Sequence, residues 1–370
     1  MAARRRLAAL SAHTSPPPSA AAAAGAPRAR TEDVALRKGA GLGETGQSDL
    51  GRTSGARLTL ATCQFDLSHD IDRNCATICA QMREAAAKGA DLVHFSETCL
   101  SGYAGVEHAS FSGFDWPRLV AKTREVMALA RELGVWVVLG SAHRLERHKP
   151  HNSLYIISNH GEVVDRYDKL FAVGGPAEDD ADLLHYSPGN HFAVFDVNGI
   201  RCGALICHDA RYDELYRELL RRGVQLVLHS FHNGHSQQQL REIGDTTFPD
   251  WPDRSSYGGI VISAMQTYAA NNGVWVSANN TSAPISSWPS CVVGPDGVLV
   301  ASLEHEVPGV LITDVDTSKD FFDGGQRWWR GRVINEGVLH SGRAVVDRQS
   351  MARTEIFETG AEHAATVEQE

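Results

Sequence analysis

The chain has 370 residues, 42% of them hydrophobic and 7% aromatic, and carries a formal net charge of −10 at pH 7. That composition is ordinary for a soluble globular protein, and no apolar run reaches the roughly 18–20 residues that span a bilayer. The acidic balance argues against nucleic acid, which needs clustered Lys and Arg, and favours a small-molecule substrate. Seven cysteines, without a C-x-x-C pair, lie mostly in apolar strands or on a helix, as Cys75 and Cys79 do. Buried thiols in a reducing compartment follow, so the expected localisation is cytoplasmic.

Residues 1–55 contain Pro16-Pro17-Pro18 and the run Ala20–Ala24, with no apolar periodicity, and are expected to form a disordered extension. Arg4, Arg5 and Arg6, with no acidic residue before Glu32, leave a mitochondrial transit peptide as the alternative. From Arg57 the pattern becomes that of a layered α/β protein. Leu58–Thr62 reads as a strand, Asn74–Lys88 as a helix, Asp91–Phe95 as a strand, Trp116–Leu133 as a helix and Val135–Gly140 as a strand. Four times a helical pattern ends at a glycine just before a strand, at Gly89, Gly134, Gly223 and Gly273, where a left-handed helix terminus suits glycine. Hairpins are expected between Leu154–Ser158 and Val163–Tyr167, and between Cys291–Val293 and Leu299–Ala301, so the sheets are mixed. The folded domain is bounded at 56–316. Residues 317–370 are read as a polar, irregular arm and partly disordered tail, with Trp328-Trp329 docked on the domain or on a second subunit.

Three places carry chemistry. Gly203-Ala-Leu-Ile-Cys207 brings a thiol to the end of an apolar strand, followed at once by His208, Asp209 and Arg211 at the start of a helix, whose positive end favours a thiolate. Leu92-Val-His-Phe-Ser-Glu97 ends a second apolar strand in an acid, and Asp168-Lys169-Leu-Phe places a lysine after a hairpin strand. Each has a bland reading: a buried thiol, a helix cap and a solvated lysine. Asp209 and Arg211 are expected to pair and fix the turn after Cys207, unless Arg211 faces a substrate carboxylate.

Taken in order, Phe95-Ser96-Glu97, Tyr167-Asp168-Lys169, Ser187-Pro188-Gly189, the run from Gly203 through Cys207 to Leu219, Ala269-Ala-Asn-Asn-Gly-Val-Trp-Val-Ser-Ala-Asn279 and Gly294-Pro-Asp-Gly297 resemble the nitrilase superfamily of carbon–nitrogen hydrolases. The resemblance implies an α/β fold, a four-layer α-β-β-α sandwich with mixed sheets. It also implies a catalytic set of Glu97 as base, Lys169 as cation and Cys207 as nucleophile. The backbone N–H of His208 then serves as an oxyanion donor, Asp182 or Glu178 as a second acid, and Tyr103, Arg211, His232, Asn233 and Asn279 as candidate pocket residues. Tyr103, Phe114, Trp116, Phe231, His232, Trp251 and Trp288 fall on loops or loop edges, so some of these rings line a pocket and others join the core. No metal or organic cofactor is implied. The partners implied are a small amide substrate and further copies of the chain, as a homodimer or larger homo-oligomer. Amide or N-carbamoyl chemistry is preferred to nitrile chemistry because Cys207-His-Asp-Ala-Arg resembles the amidase-type branch. Two rivals remain: a zinc hydrolase built on His229, His232 and His235, against which Asn233-Gly234 breaks any helix, and a silent binding module.

Overall fold

A computed structural model of the protein describes residues 55–174, 181–233, 247–248, 251–283, 286–324, 327–341 and a few positions from 346 to 353. The expected extension over 1–55 lies almost wholly outside them. In chain order the strands are β1 (Arg57–Gln64), β2 (Leu92–Phe95), β3 (Trp136–His143), β4 (His151–Ile157), β5 (Val163–Asp168), β6 (Val194–Val197), β7 (Ile200–Ile206) and β8 (Leu226–Ser230). These are followed by β9 (Thr247–Phe248), β10 (Trp251–Ser255), β11 (Trp275–Asn279), β12 (Cys291–Val293), β13 (Leu299–Ser302) and β14 (Gly309–Asp316). The helices are α1 (Ile71–Ala87), α2 (Trp116–Leu133), α3 (Asp213–Arg221), α4 (Ser256–Asn272) and α5 (Arg327–Glu336).

Two six-stranded sheets form, ordered β14-β1-β2-β3-β4-β5 and β13-β12-β11-β8-β7-β6, and a short β9–β10 pair stands apart. In the first sheet β1, β2 and β3 are parallel; in the second β7, β8 and β11 are parallel, and antiparallel strands extend both. The parallel units follow from the four helix–glycine–strand junctions, since Gly89, Gly134, Gly223 and Gly273 all adopt positive φ between +63° and +80°. Both expected hairpins are present as β4–β5 and β12–β13.

Strand periodicity assigns the layers. Along β1, Leu58 and Leu60 face the second sheet, whereas Ala61 and Cys63 face α1 and α2. The second sheet is covered on its other side by α3 and α4, through Leu215, Leu219, Val261 and Met265. The order is therefore α1/α2, sheet, sheet, α3/α4, the four-layer sandwich expected from the sequence. The arm is more regular than expected: it folds into α5, where buried Arg330 pairs with Asp323, and Ile334 packs on the core. Among the described residues no helix is long and apolar enough to cross a membrane.

Toward the carboxyl ends of the parallel strands the seam between the sheets turns polar. His94 of β2 bonds Ser277 of β11 at 2.9 Å and Ser230 of β8 at 2.8 Å, and Thr62 of β1 meets the same Ser277 at 2.8 Å. Asn279 donates from Nδ2 to the carbonyls of Cys63, at 3.0 Å, and His94. Burial pushes the imidazoles of His94 and His229 down to about 3, so both are held neutral. Their folded values lie below the unfolded 6.5. Their contribution to stability is thus complete above about pH 6.5 and is lost as pH falls toward about 3. Urea unfolding between about pH 6 and 4 should show each ring removing about 1.4 kcal/mol per pH unit, and His94→Gln should reduce that slope by one ring's share. An identical slope in the variant would show that His94 is not buried neutral.

Candidate active site

Glu97 sits in the turn that leaves β2, with Thr98 at φ 53°. The turn rests directly on β3 at Gly140, where a Cβ would lie 2.1 Å from the Ser96 carbonyl oxygen and 2.6 Å from the Thr98 nitrogen. Only glycine admits that approach. The Glu97 carboxylate is fully buried. Its Oε1 accepts from Asn152 Nδ2 at 2.7 Å and Lys169 Nζ at 2.9 Å, and Oε2 accepts from the His232 backbone N–H at 2.9 Å. Of about four lone-pair sites on a carboxylate, three are taken and one on Oε2 remains for a proton.

Lys169 follows β5. Two antiparallel reversals through β4 make β5 run with β3, so Lys169 emerges at the same end of the sheet as Glu97. Its backbone N–H donates to the Asn152 carbonyl at 2.9 Å, and its own carbonyl accepts from Gly189 N–H at 2.9 Å. The Ser187-Pro188-Gly189 motif now has a reason, since a Cβ on Gly189 would fall 2.2 Å from the Asp168 carbonyl oxygen. The Lys169 ammonium, 3% exposed, touches Glu97, Asp182 Oδ2 at 3.0 Å and the Tyr103 hydroxyl at 3.3 Å. Burial works to lower its affinity for a proton, but Asp182 and Glu97 outweigh it and hold it well above the usual lysine range. Of the two acids left open by the sequence, Asp182 reaches Lys169, and Glu178 lies outside the described residues.

Cys207 leaves β7 with φ 45°, a left-handed conformation uncommon for a residue with a Cβ, and is half-buried where the other six cysteines are buried. In the parallel register Ile206, the residue before Cys207, pairs with Ser230, the residue before Phe231, whose carbonyl accepts the Glu97 N–H at 3.2 Å. The thiol is close enough to act electrostatically on Lys169. The turn differs from expectation. A 3-10 segment, Cys207–Arg211, separates the thiol from α3, so no α-helix starts at the thiol. Nor does Asp209 pair with Arg211. Its Oδ1 accepts from Phe171 N–H at 2.9 Å, and its Oδ2 accepts from Ile206 N–H at 2.9 Å and the Tyr167 hydroxyl at 2.8 Å. One buried carboxylate thus ties the cysteine turn to the lysine loop. Burial pushes it up to about 6 against those donors.

Tyr103 and His232 join the cluster. Glu107 accepts from Tyr103 N–H at 2.8 Å and meets His232 Nε2 at 2.9 Å, and the Tyr103 and His232 rings lie 5.5 Å apart. Burial works to raise Glu107, but His232 and the Tyr103 N–H hold it below the usual carboxylate range. The other pocket candidates do not converge here. Asn279 spends both amide hydrogens on carbonyls of the inter-sheet seam, and Asn233 accepts from Ser287 and from Asn280. Arg211 is exposed. Phe231 and Trp288 are buried edge to face, Trp116 stacks on Phe111 while Phe114 meets it edge-on, and the Trp251 side chain lies outside the described residues. Of the three histidines of the zinc alternative, His229 bonds the Tyr216 hydroxyl through Nδ1 at 2.7 Å, His232 meets Glu107 through Nε2, and His235 lies outside the described residues. Sequence reasoning missed Asn152 and Glu107. The β4–β5 register, continued one step past Ser153 and Asp168, sets Asn152 opposite Lys169, but a one-residue shift between Ile156 and Ile157 hides that pairing from a count along the hairpin; Glu107, on an irregular loop, left no signal either.

The fold and this arrangement fit a carbon–nitrogen hydrolase. The chain belongs to the carbon–nitrogen hydrolase family, whose model matches residues 59–319. The human omega-amidase is 28% identical over 276 residues, covering 70% of this chain and 89% of that protein; the bovine one is 27% identical over 179 residues, covering 47% and 63%. Two solved variants of the Nesterenkonia sp. AN1 amidase share the fold. One has TM-score 0.60 at 20% identity, covering 76% of this chain and 98% of that one. The other, with TM-score 0.59 at 22% identity over 72% and 93%, carries the acetamide moiety of fluoroacetamide added to its active-site cysteine.

Replacing Asp209 by Asn leaves one oxygen for donors now served by two, and turns an N–H₂ toward either Phe171 N–H or Ile206 N–H. The loss expected is about 1–3 kcal/mol in urea unfolding, together with slower alkylation of Cys207 by iodoacetamide. Wild-type stability and alkylation in Asp209→Asn would show that the turn is held by something else.

Proposed function

We propose that this protein hydrolyses a small linear amide or N-carbamoyl compound through a thioester on Cys207. The observation that carries the reading is the buried Glu97–Lys169–Asp182 chain, at 2.9 and 3.0 Å, beside the one partly exposed cysteine. Charge decides the roles. Asp182 pairs with the ammonium from one side, so Glu97 need not neutralise Lys169 alone and keeps a free lone pair on Oε2 for the thiol proton. The thiolate then attacks the carbonyl carbon, and the oxyanion forms against the Lys169 ammonium and the His208 N–H. Collapse breaks the C–N bond, and ammonia leaves with the proton held by Glu97. Water, deprotonated by Glu97, attacks the thioester; the acid leaves and the proton returns to sulfur.

The amidase and omega-amidase names of the relatives support an amide over a nitrile, and the Tyr103–His232–Glu107 wall offers polar atoms for the far end of a short substrate. A silent binding module is disfavoured, because burying Lys169 between two carboxylates is costly without a use.

Ammonia release from a panel of amides, N-carbamoyl amines and nitriles tests the reading. Cys207→Ala should abolish turnover, Glu97→Gln should lower kcat by about 10²–10⁴-fold, and Lys169→Gln by about 10²–10³-fold. Nitriles turned over in preference to amides would overturn the substrate class. Iodoacetamide reacting with Cys207 no faster than with the buried thiols would favour the silent module.

A further inference from the structure

The outer helices carry a second cluster of reactive side chains that the proposed reaction does not use. Cys75 and Cys79 stand four residues apart on one face of α1, with their sulfurs 3.9 Å apart. Glu125 of α2 faces them, and the three ligand atoms all lie within 4.8 Å of one another. A tetrahedral zinc ion with Zn–S bonds of about 2.3 Å sets two sulfurs about 3.8 Å apart, so the thiols already stand at the required spacing. The two sulfurs are buried, and the Glu125 side chain is 51% exposed, so the site is closed on the core side and open to solvent on the other.

We propose that Cys75, Cys79 and Glu125 bind one thiolate-preferring divalent cation of the zinc type, which clamps α1 to α2 on the outer face of the first sheet. The surrounding charges allow it. Lys122 holds Glu125 at 2.7 Å but also reaches Asp72 at 3.3 Å, so it keeps a carboxylate partner when Glu125 turns to the ion. Arg118 shares Asp72, and Arg83 lies near Cys79. The two sulfurs share one contact in which either can donate, and the Cys75 thiol also reaches the Lys122 carbonyl at 3.9 Å, a contact it gives up when it binds the ion. Binding forms two Zn–S bonds and one Zn–O bond, and releases the two thiol protons to solvent. A water completes the fourth position.

The test uses the full chain with Zn²⁺ alone, and Co²⁺ as the spectroscopic probe. Elemental analysis after desalting should find one equivalent of zinc, and Co²⁺ should give thiolate-to-metal charge-transfer absorption. Both should persist in Cys207→Ala, which removes the exposed thiol, and vanish in Cys75→Ser. Because Cys75→Ser puts a hydroxyl at a fully buried position and so destabilises the fold, Glu125→Gln at the solvent-facing position is the second variant; it should weaken zinc binding by at least about tenfold. Zinc should raise the melting temperature, and a chelator should reverse that while leaving ammonia release unchanged. No bound zinc in the wild type, retention in Cys75→Ser, equal affinity in Glu125→Gln, or loss of turnover on chelation would each overturn the proposal.

Discussion

Everything at the reaction centre depends on one buried cation held between two carboxylates. Taking Lys169, Glu97 and Asp182 out of water costs several kcal/mol per ion, and the attraction between them offsets that only if the geometry is close and the remaining donors are satisfied. The structure meets both conditions. The pairs lie at 2.9 and 3.0 Å, Tyr103 accepts from the same ammonium, and Asn152 and the His232 N–H donate to the Glu97 carboxylate opposite. Each partner comes from a different stretch of chain. The cluster therefore exists only when β2, β4, β5 and the segment after β8 have docked, which makes the site a consequence of the whole sandwich.

The polar seam beneath it follows from the same constraint. Were the inner faces apolar to their ends, the turns carrying Glu97 and His232 would have no fixed height relative to each other. Instead His94 bridges Ser277 and Ser230, and the Ser230 hydroxyl donates to the Phe95 carbonyl at 2.9 Å, two residues before Glu97. The first sheet is thereby registered on the second within hydrogen-bond tolerance, where apolar packing alone tolerates sliding. A neutral imidazole suits this position, because it donates from one nitrogen and accepts at the other between two hydroxyls.

What was legible in the sequence was whatever depends on local pattern. The α2 helix was read to the residue, and the four helix-ending glycines placed the parallel strands, because backbone sign and hydrophobic period are local properties. Glu97 and Cys207 were legible as polar residues ending apolar strands, and Lys169 as the residue after a hairpin strand. Asp209 was legible as important but not in its role: its partners, Phe171 and Tyr167, are 38 and 42 residues away, and adjacency to Arg211 suggested the wrong one. Asn279 misled for the opposite reason. An amide after a buried strand reads as a pocket residue until the second sheet is laid over it.

Asp182 shows how a shorter acid suits this loop. Its backbone N–H donates to the Val173 carbonyl at 2.8 Å, and its carboxylate accepts the Val173 N–H at 3.0 Å as well as the Lys169 ammonium. The same side chain therefore holds Val173 and pairs with the cation. Asp182 is the second residue of a 3-10 turn, Ala181–Leu184, that opens with Ala181 at φ 44°. A glutamate there would carry one more methylene into a space whose walls are already fixed by Lys169 and Val173. The carboxylate that tunes the ammonium is thus also the one that holds Val173, and the two functions cannot be changed separately by substitution at this position.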